Sequence, residues 1–193
     1  MNKKYLAFAT IFFITACSEM ESSNNKFSSG ENIDEKVTQY ADCIKTQNYI
    51  CATSFMLPSL VQSVGGADKM VTILSRIAEK GSSKGLIIDP SKTTYGTHGK
   101  IVKDKKELVS VIPYVQHGTY KGSDAEIQAS LIAFSNDNGR SWFFLEGSDE
   151  NQMVIANQNP RLLQLISIPM PIMKFDNYTF IQKNGEWVNV VSP

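Results

Sequence analysis

The sequence predicts an α+β domain in which helices come first, an antiparallel meander sheet follows, and a further helix and hairpin close the chain. Three observations carry this reading. From residue 32 to about residue 80, apolar side chains recur at helical spacing. After Gly85 the pattern changes to period two and the composition to β-branched and aromatic residues. Two clusters of turn formers, 135–141 and Asn184-Gly185, stand between apolar runs and are of the kind that let the backbone reach positive φ. With 193 residues, 42% of them hydrophobic and 10% aromatic, the chain can bury one sizeable core, and its length is that of one domain.

The first residues, MNKKYLAFATIFFITAC, place Lys3 and Lys4 before an apolar run from Tyr5 to Ile14 and then small residues. This is the pattern of a secretory signal, and it is too short to span a bilayer. Its end, Ile14-Thr15-Ala16-Cys17, resembles the lipobox of bacterial lipoproteins, with Ile14 where Leu is commonest. The resemblance implies that Cys17 becomes the mature N-terminus and carries the lipid that holds the protein to the membrane. Ser18 is not the Asp that resembles an inner-membrane retention signal, so residence at the outer membrane, facing the periplasm, is expected. Residues 18–31, SEMESSNNKFSSGE, have too little apolar surface to offset the entropy of ordering and read as a tether. The expected organisation is a signal peptide over 1–16, the lipidated Cys and tether over 17–31, and a single α+β domain over 32–193.

Without Lys3 and Lys4 the chain keeps seventeen basic residues against nineteen acidic ones, a net charge of −2. Such a balance argues against nucleic acid as a partner, since phosphates are met with a basic face. With Cys17 lipidated, Cys43 and Cys51 remain, and an oxidising compartment favours their pairing over two buried thiols. Residues eight apart in one unbroken helix stand about 12 Å apart, beyond disulfide reach, so the pair requires a break near Thr46-Gln47-Asn48. Neither C-x-x-C spacing nor a nearby cluster of His and carboxylates supports a metal or redox pair.

In chain order, residues 32–45 set Ile33, Val37, Tyr40, Ala41 and Ile44 on one stripe, with Asn32 or Asp34 as cap. Residues 49–57 form a second short helix stopped by Pro58, and Leu60, Val61 and Val64 continue its apolar surface to Gly65-Gly66. Residues 68–79 carry Met70, Val71, Ile73, Leu74 and Ile77 at helical spacing, with Gly81 as the stop. Leu86-Ile87-Ile88 begins the sheet; 93–102 and 108–120 read as long strands joined by a solvated charged turn, Lys103-Asp104-Lys105-Lys106. In the second of these, Val109, Val111, Val115 and His117 share one face, and Leu108, Ser110, Ile112, Tyr114 and Gln116 the other. Lys121-Gly122-Ser123-Asp124 turns the chain into the hairpin of 129–146. Residues 151–167 read as helical with Pro160 in a first turn, and a last hairpin closes around Asn184-Gly185.

Helices, a double glycine between helical segments, a long antiparallel meander and a hairpin bearing S-x-D-x-G-x-x-W together resemble small bacterial lipoproteins with an NTF2-like (SnoaL-like, cystatin-type) cone. The resemblance covers residues 32–145 and is architectural. It implies a curved sheet wrapped over helices with a pocket between them, its wall drawn from Tyr95, Tyr114, His117, Phe134 and Trp142. Ser135 to Trp142 also resembles the Asp-box of sialidase-type propellers, a turn-stabilising element remote from catalysis; one copy behind a helical third of the chain does not make a propeller.

Ketosteroid-isomerase-like members of such a family imply a His or Asp base beside a Tyr. His117, His98 and Asp89 are the residues that could serve, with Tyr95 and Tyr114 near; none lies in a recognisable motif, and a strand His on an apolar face is ordinarily a hydrogen-bonded core residue. Patterns for a serine nucleophile, a zinc protease or a phosphate loop are absent. No cofactor and no metal is expected. Three function classes stand: a lipid-anchored, non-catalytic domain binding a small apolar ligand or a partner protein, an isomerase or dehydratase, and a structural envelope protein with a filled pocket.

Overall fold

The computed structural model describes residues 29–190, so Cys17, the expected signal peptide and the expected tether up to residue 28 lie outside the described residues. Among the described residues six helices and eight strands follow one another: α1 Ser29–Lys45, α2 Tyr49–Ser54, α3 Pro58–Ser63, α4 Ala67–Ser83, β1 Leu86–Tyr95, β2 Val102–Asp104, β3 Glu107–Tyr120, β4 Ser123–Ser135, β5 Phe143–Glu146, α5 Asp149–Gln158, α6 Pro160–Leu165, β6 Ile172–Phe175, β7 Tyr178–Lys183 and β8 Glu186–Val190. The strands form one curved, open, fully antiparallel sheet in the order β1-β3-β4-β6-β7-β8. The short strands share places: β2 lies on β3 beyond the end of β1, and β5 lies on β4 beyond β6.

The spine is the β3–β4 pair, in register from Leu108–Ser135 to Tyr120–Ser123. Its period-two pattern gives it two buried faces. On one, Ile112 and Tyr114 of β3, Ile127, Ala129, Leu131 and Ala133 of β4, Phe144 and Met173 meet Ile33 and Val37 of α1. On the other, Val109, Ile132 and Leu145 meet Ile155 of α5 and Leu162 of α6. Each such aliphatic side chain, taken fully out of water, contributes about 1.5–3 kcal/mol, which is why α1 stays on one face of the sheet and α5 and α6 on the other. The two sequence-predicted faces of β3 are thus real, and a helix layer covers part of each.

Several expected boundaries move, each for a physical reason. Helix α1 begins at Ser29, so Asn32 and Asp34 lie inside it and cap nothing; Asn32 Nδ2 instead donates to the Gly139 and Arg140 carbonyls at 3.2 Å. Helix α2 ends at Ser54, three residues short of the expected end, and Pro58 opens α3 where its missing N–H costs nothing. Gly81 lies within α4, and the chain leaves the helix at Gly85, whose φ of 84° suits glycine. The expected strand 93–102 ends at Tyr95, and β1 instead starts at Leu86 and is interrupted between Asp89 and Thr94, around Pro90. Asp104 is not solvated: only 3% exposed, it accepts from Asn159 Nδ2 at 2.9 Å. The C-terminal helical stretch is two helices broken at Asn159, with Pro160 opening α6. Strand β6, which pairs with β4 from Ala125 to Gln128, was not expected at all.

The cysteine reading holds. Cys43 and Cys51 form a disulfide with Cα atoms 5.6 Å apart, and the break it requires is at Gln47, in the left-handed region at φ 52°. Asn48 then caps α2 by accepting from Cys51 N at 3.0 Å.

The hairpin of β4 and β5 is tied by its own loop. Ser135 Oγ donates to Asp137 Oδ1 at 2.8 Å and accepts from Gly139 N at 2.8 Å, while Asp137 Oδ1 accepts the Arg140 and Ser141 amides at 3.0 and 2.9 Å. Asn138 and Gly139 take positive φ. Trp142 follows, 2% exposed. The loop's polar groups therefore serve the turn itself.

Candidate functional site

The last stretch of β1 runs beside α1, and between them lies a groove of about 430 Å³ lined by Asp34, Val37, Thr38, Ala41 and Lys45 on the helix and residues 93–97 on the strand side. The helix residues fall at spacings of three or four, so a single stripe of α1 faces the strand. Val37 and Ala41 give a small apolar floor. The ends differ in chemistry. At one, Asp34 Oδ1 lies 2.8 Å from His98 Nδ1 and accepts the His98 amide at 3.4 Å, joining α1 to the loop after β1. At the other, Lys45 is exposed and has no ion pair among the described residues.

Thr93 lines the groove, is 3% exposed, and its hydroxyl has no hydrogen-bond partner among the described residues. Buried hydroxyls ordinarily find one. The main chain adds to this. Gly96 N donates to Pro113 O at 2.8 Å, and Tyr95 stands opposite Tyr114. In an antiparallel ladder, hydrogen-bonded and non-bonded pairs alternate, so Tyr95 directs its N–H and C=O away from β3, out of the sheet edge.

Behind the groove the space between α1 and the sheet is filled. Tyr40, Phe55, Tyr95, Tyr114 and Phe144 pack with ring centroids 5.5–6.4 Å apart, in edge-on, tilted and stacked pairs. Tyr114 Oη donates to Glu146 Oε1 at 2.5 Å. Burial pushes the Tyr40, Tyr95 and Tyr114 hydroxyls well above the ordinary tyrosine range, and the nearby Glu146 carboxylate adds to the shift. Part of the Tyr40 and Tyr95 rings remains accessible, but the hydroxyl ends are enclosed. All three hydroxyls are therefore protonated at neutral pH, and Tyr114 is the one that donates, to Glu146.

The residues singled out from the sequence are divided among different places. Tyr95 lines the groove and Tyr114 lies in the core behind it. Trp142 belongs to that same core, whereas Phe134 packs on the opposite face with Val109 and Ile132. His117 and Asp89 stand opposite each other in the β1–β3 register, on the face of the sheet away from Tyr95 and Tyr114. Asp89 is engaged locally: the Ser91 hydroxyl and amide, with Lys92 beside them, hold its carboxyl below the usual range despite its partial desolvation. His98 meets Asp34, not His117 or a tyrosine. Among the described residues no three His, Cys, Asp or Glu side chains gather in a metal-holding group, and no helix is long and apolar enough to cross a membrane.

Sequence reasoning missed Asp34, Thr38, Lys45, Thr93 and Thr97 as groove residues. Only their stripe on α1 was visible, and there Val37 and Ala41 read as core.

A second accessible apolar surface lies on the inner face of β6–β8, where Tyr120, Phe175, Phe180 and Trp187 are half-buried and Tyr178 is 53% exposed.

No protein family, curated protein or solved structure matches the chain.

Proposed function

We propose that this is a lipid-anchored, non-catalytic domain of the bacterial cell envelope, held through Cys17 at the outer membrane on its periplasmic side, and that it works by binding a partner protein in the groove between α1 and β1. The fold is read as an NTF2-like cone whose usual interior space has been given over to aromatic side chains. One observation carries the choice of site: an open groove with an unpartnered buried hydroxyl, an unpaired lysine and outward-facing main chain lies immediately in front of a filled interior.

That contrast favours a partner protein over a small apolar ligand. An apolar ligand is taken up by an enclosed, mainly apolar pocket, while the groove mixes a small floor of Val37 and Ala41 with threonines, a carboxylate and an ammonium group. Turnover of the isomerase type has less support, because His117 and Asp89 face away from the tyrosines that would polarise a carbonyl.

The test is a photo-crosslinking residue at Thr97, with a second at Lys80 on α4 as control, in cells producing the full chain with Cys17 intact. A discrete protein adduct from position 97 and none from position 80 supports the reading. Adducts from both positions, or from neither, reject it. Replacing Cys17 with Ser is expected to release the protein from the membrane fraction; retention there would remove the anchor from the account.

A further inference from the structure

We infer that the groove takes the C-terminal end of an extended peptide, added antiparallel to the free edge of β1 with its terminal carboxylate at Lys45. This rests on the binding role proposed for the same groove and names its occupant.

The direction follows from the ends. Asp34 meets His98 beyond the end of β1, and Tyr40 meets Tyr95 with ring centroids 6.3 Å apart. Helix α1 therefore runs against β1 along the groove, and Lys45 stands beside Thr93. From residue 34 to residue 45 the helix rises about 16 Å, the length of about five extended residues. A strand antiparallel to β1 enters at the Asp34–His98 end and finishes at Lys45, which puts its one obligatory anion, the C-terminal carboxylate, at the one unpaired cation of the groove.

The edge supplies the rest. Tyr95 offers an outward N–H and C=O, the pair a new strand needs. Thr93 Oγ1 is a buried hydroxyl awaiting a partner, and a peptide main chain beside it can provide one. Two nearby stretches of edge are closed to such a strand: β5 is covered by the α2–α3 connection, with Phe144 N donating to Phe55 O at 2.7 Å, and β1 itself is interrupted around Pro90 before the groove begins; the opposite edge, β8, lies outside the groove. Residues on the floor are small, so the peptide side chain above Val37 and Ala41 is aliphatic and not aromatic.

The test uses an array of random heptapeptides, each made with a free C-terminal acid and as the amide, against the purified domain with its disulfide intact. Binding confined to the acid forms is expected, with dissociation constants well below ~1 mM. Lys45→Glu weakens the best acid peptide by about tenfold and Lys45→Ala by a smaller factor. In hydrogen exchange the bound peptide slows the Tyr95 amide and leaves the Gly96 amide, already bonded to Pro113, unchanged. Equal binding of acids and amides, no peptide tighter than ~1 mM, or an unaltered Tyr95 amide overturns the inference. An adduct at position 97 together with any of those results would mean that the groove binds a partner by some other chemistry; loss of that adduct rejects the groove itself.

Discussion

His98 Nδ1 stands 2.8 Å from Asp34 Oδ1, joining the loop after β1 to the second turn of α1 across 64 positions of sequence. This contact closes one end of the groove and holds helix and strand at their spacing. Its energetic weight is small because Asp34 is 45% exposed. Replacing either residue with Ala is expected to cost no more than about 1 kcal/mol, or about 2–4 °C in Tm, while hydrogen exchange at the His98 amide becomes faster. A larger loss in thermal denaturation, or unchanged exchange, would show that the contact does not act as a clasp.

Tyr114 and Glu146 should respond unequally to deletion. The tyrosine is 6% exposed and the carboxylate is open to solvent. Tyr114→Phe leaves Glu146 free to hydrate and is expected to cost about 0.5–1.5 kcal/mol, whereas Glu146→Ala strands a buried hydroxyl and costs about 1–3 kcal/mol. Urea denaturation of the two variants decides; the reverse order would contradict the assigned geometry.

The same cluster sets an alkaline limit. Tyr40, Tyr95 and Tyr114 have folded pKa values raised above the unfolded one. Their contribution is fully present below about pH 10, the unfolded value, and is lost as pH rises beyond it. Absorbance of tyrosinate should show these three ionising only together with unfolding. Ionisation in the folded state, with unchanged circular dichroism, would mean that they are not enclosed.

Asp137 carries the opposite sign. Burial works to raise its pKa, but hydrogen bonds from Ser141, Ser135 and Arg140 outweigh that and hold it below the ordinary value. Its contribution is present above about pH 4, the unfolded value, and fades as pH falls through the folded one. Asp137→Ala is expected to cost about 2 kcal/mol at pH 7, with the gap to wild type narrowing in denaturation measured below about pH 4. A gap independent of pH would remove the charge from the explanation.

Gly118 lies where β1 crosses close to β3: a Cβ there would sit 2.0 Å from the Ile87 carbonyl oxygen. Gly118→Ala is expected to displace β1 and to cost more than about 2 kcal/mol, read as a fall in denaturation midpoint. A neutral substitution would mean that the two strands are further apart than described.

Much of the fold was legible because its signals are local. Asn184 and Gly185 both take positive φ between β7 and β8, and Asn138 with Gly139 does so before Trp142, as turn chemistry requires. The disulfide was legible with its helix break because eight residues of helix cannot span it. What stayed hidden depends on partners distant in sequence. Asp34 looked like a cap until His98 was beside it, and Asp104 looked like one charge among lysines until Asn159 reached it. β6 is four residues that follow two prolines, Pro169 and Pro171, and only the length of β4 left uncovered by β5 gives it a place. The groove itself is no motif: its threonines and Lys45 become a site only when an edge strand and a helix stripe meet.

The most direct test of the account is to block that groove and look for the partner. Thr38 is exposed and lines it, so Thr38→Trp fills the space without entering the core. With the crosslinking residue at position 97 in cells, the account predicts that Thr38→Trp abolishes the adduct while membrane attachment and Tm are kept. An adduct of undiminished yield in that variant would contradict it.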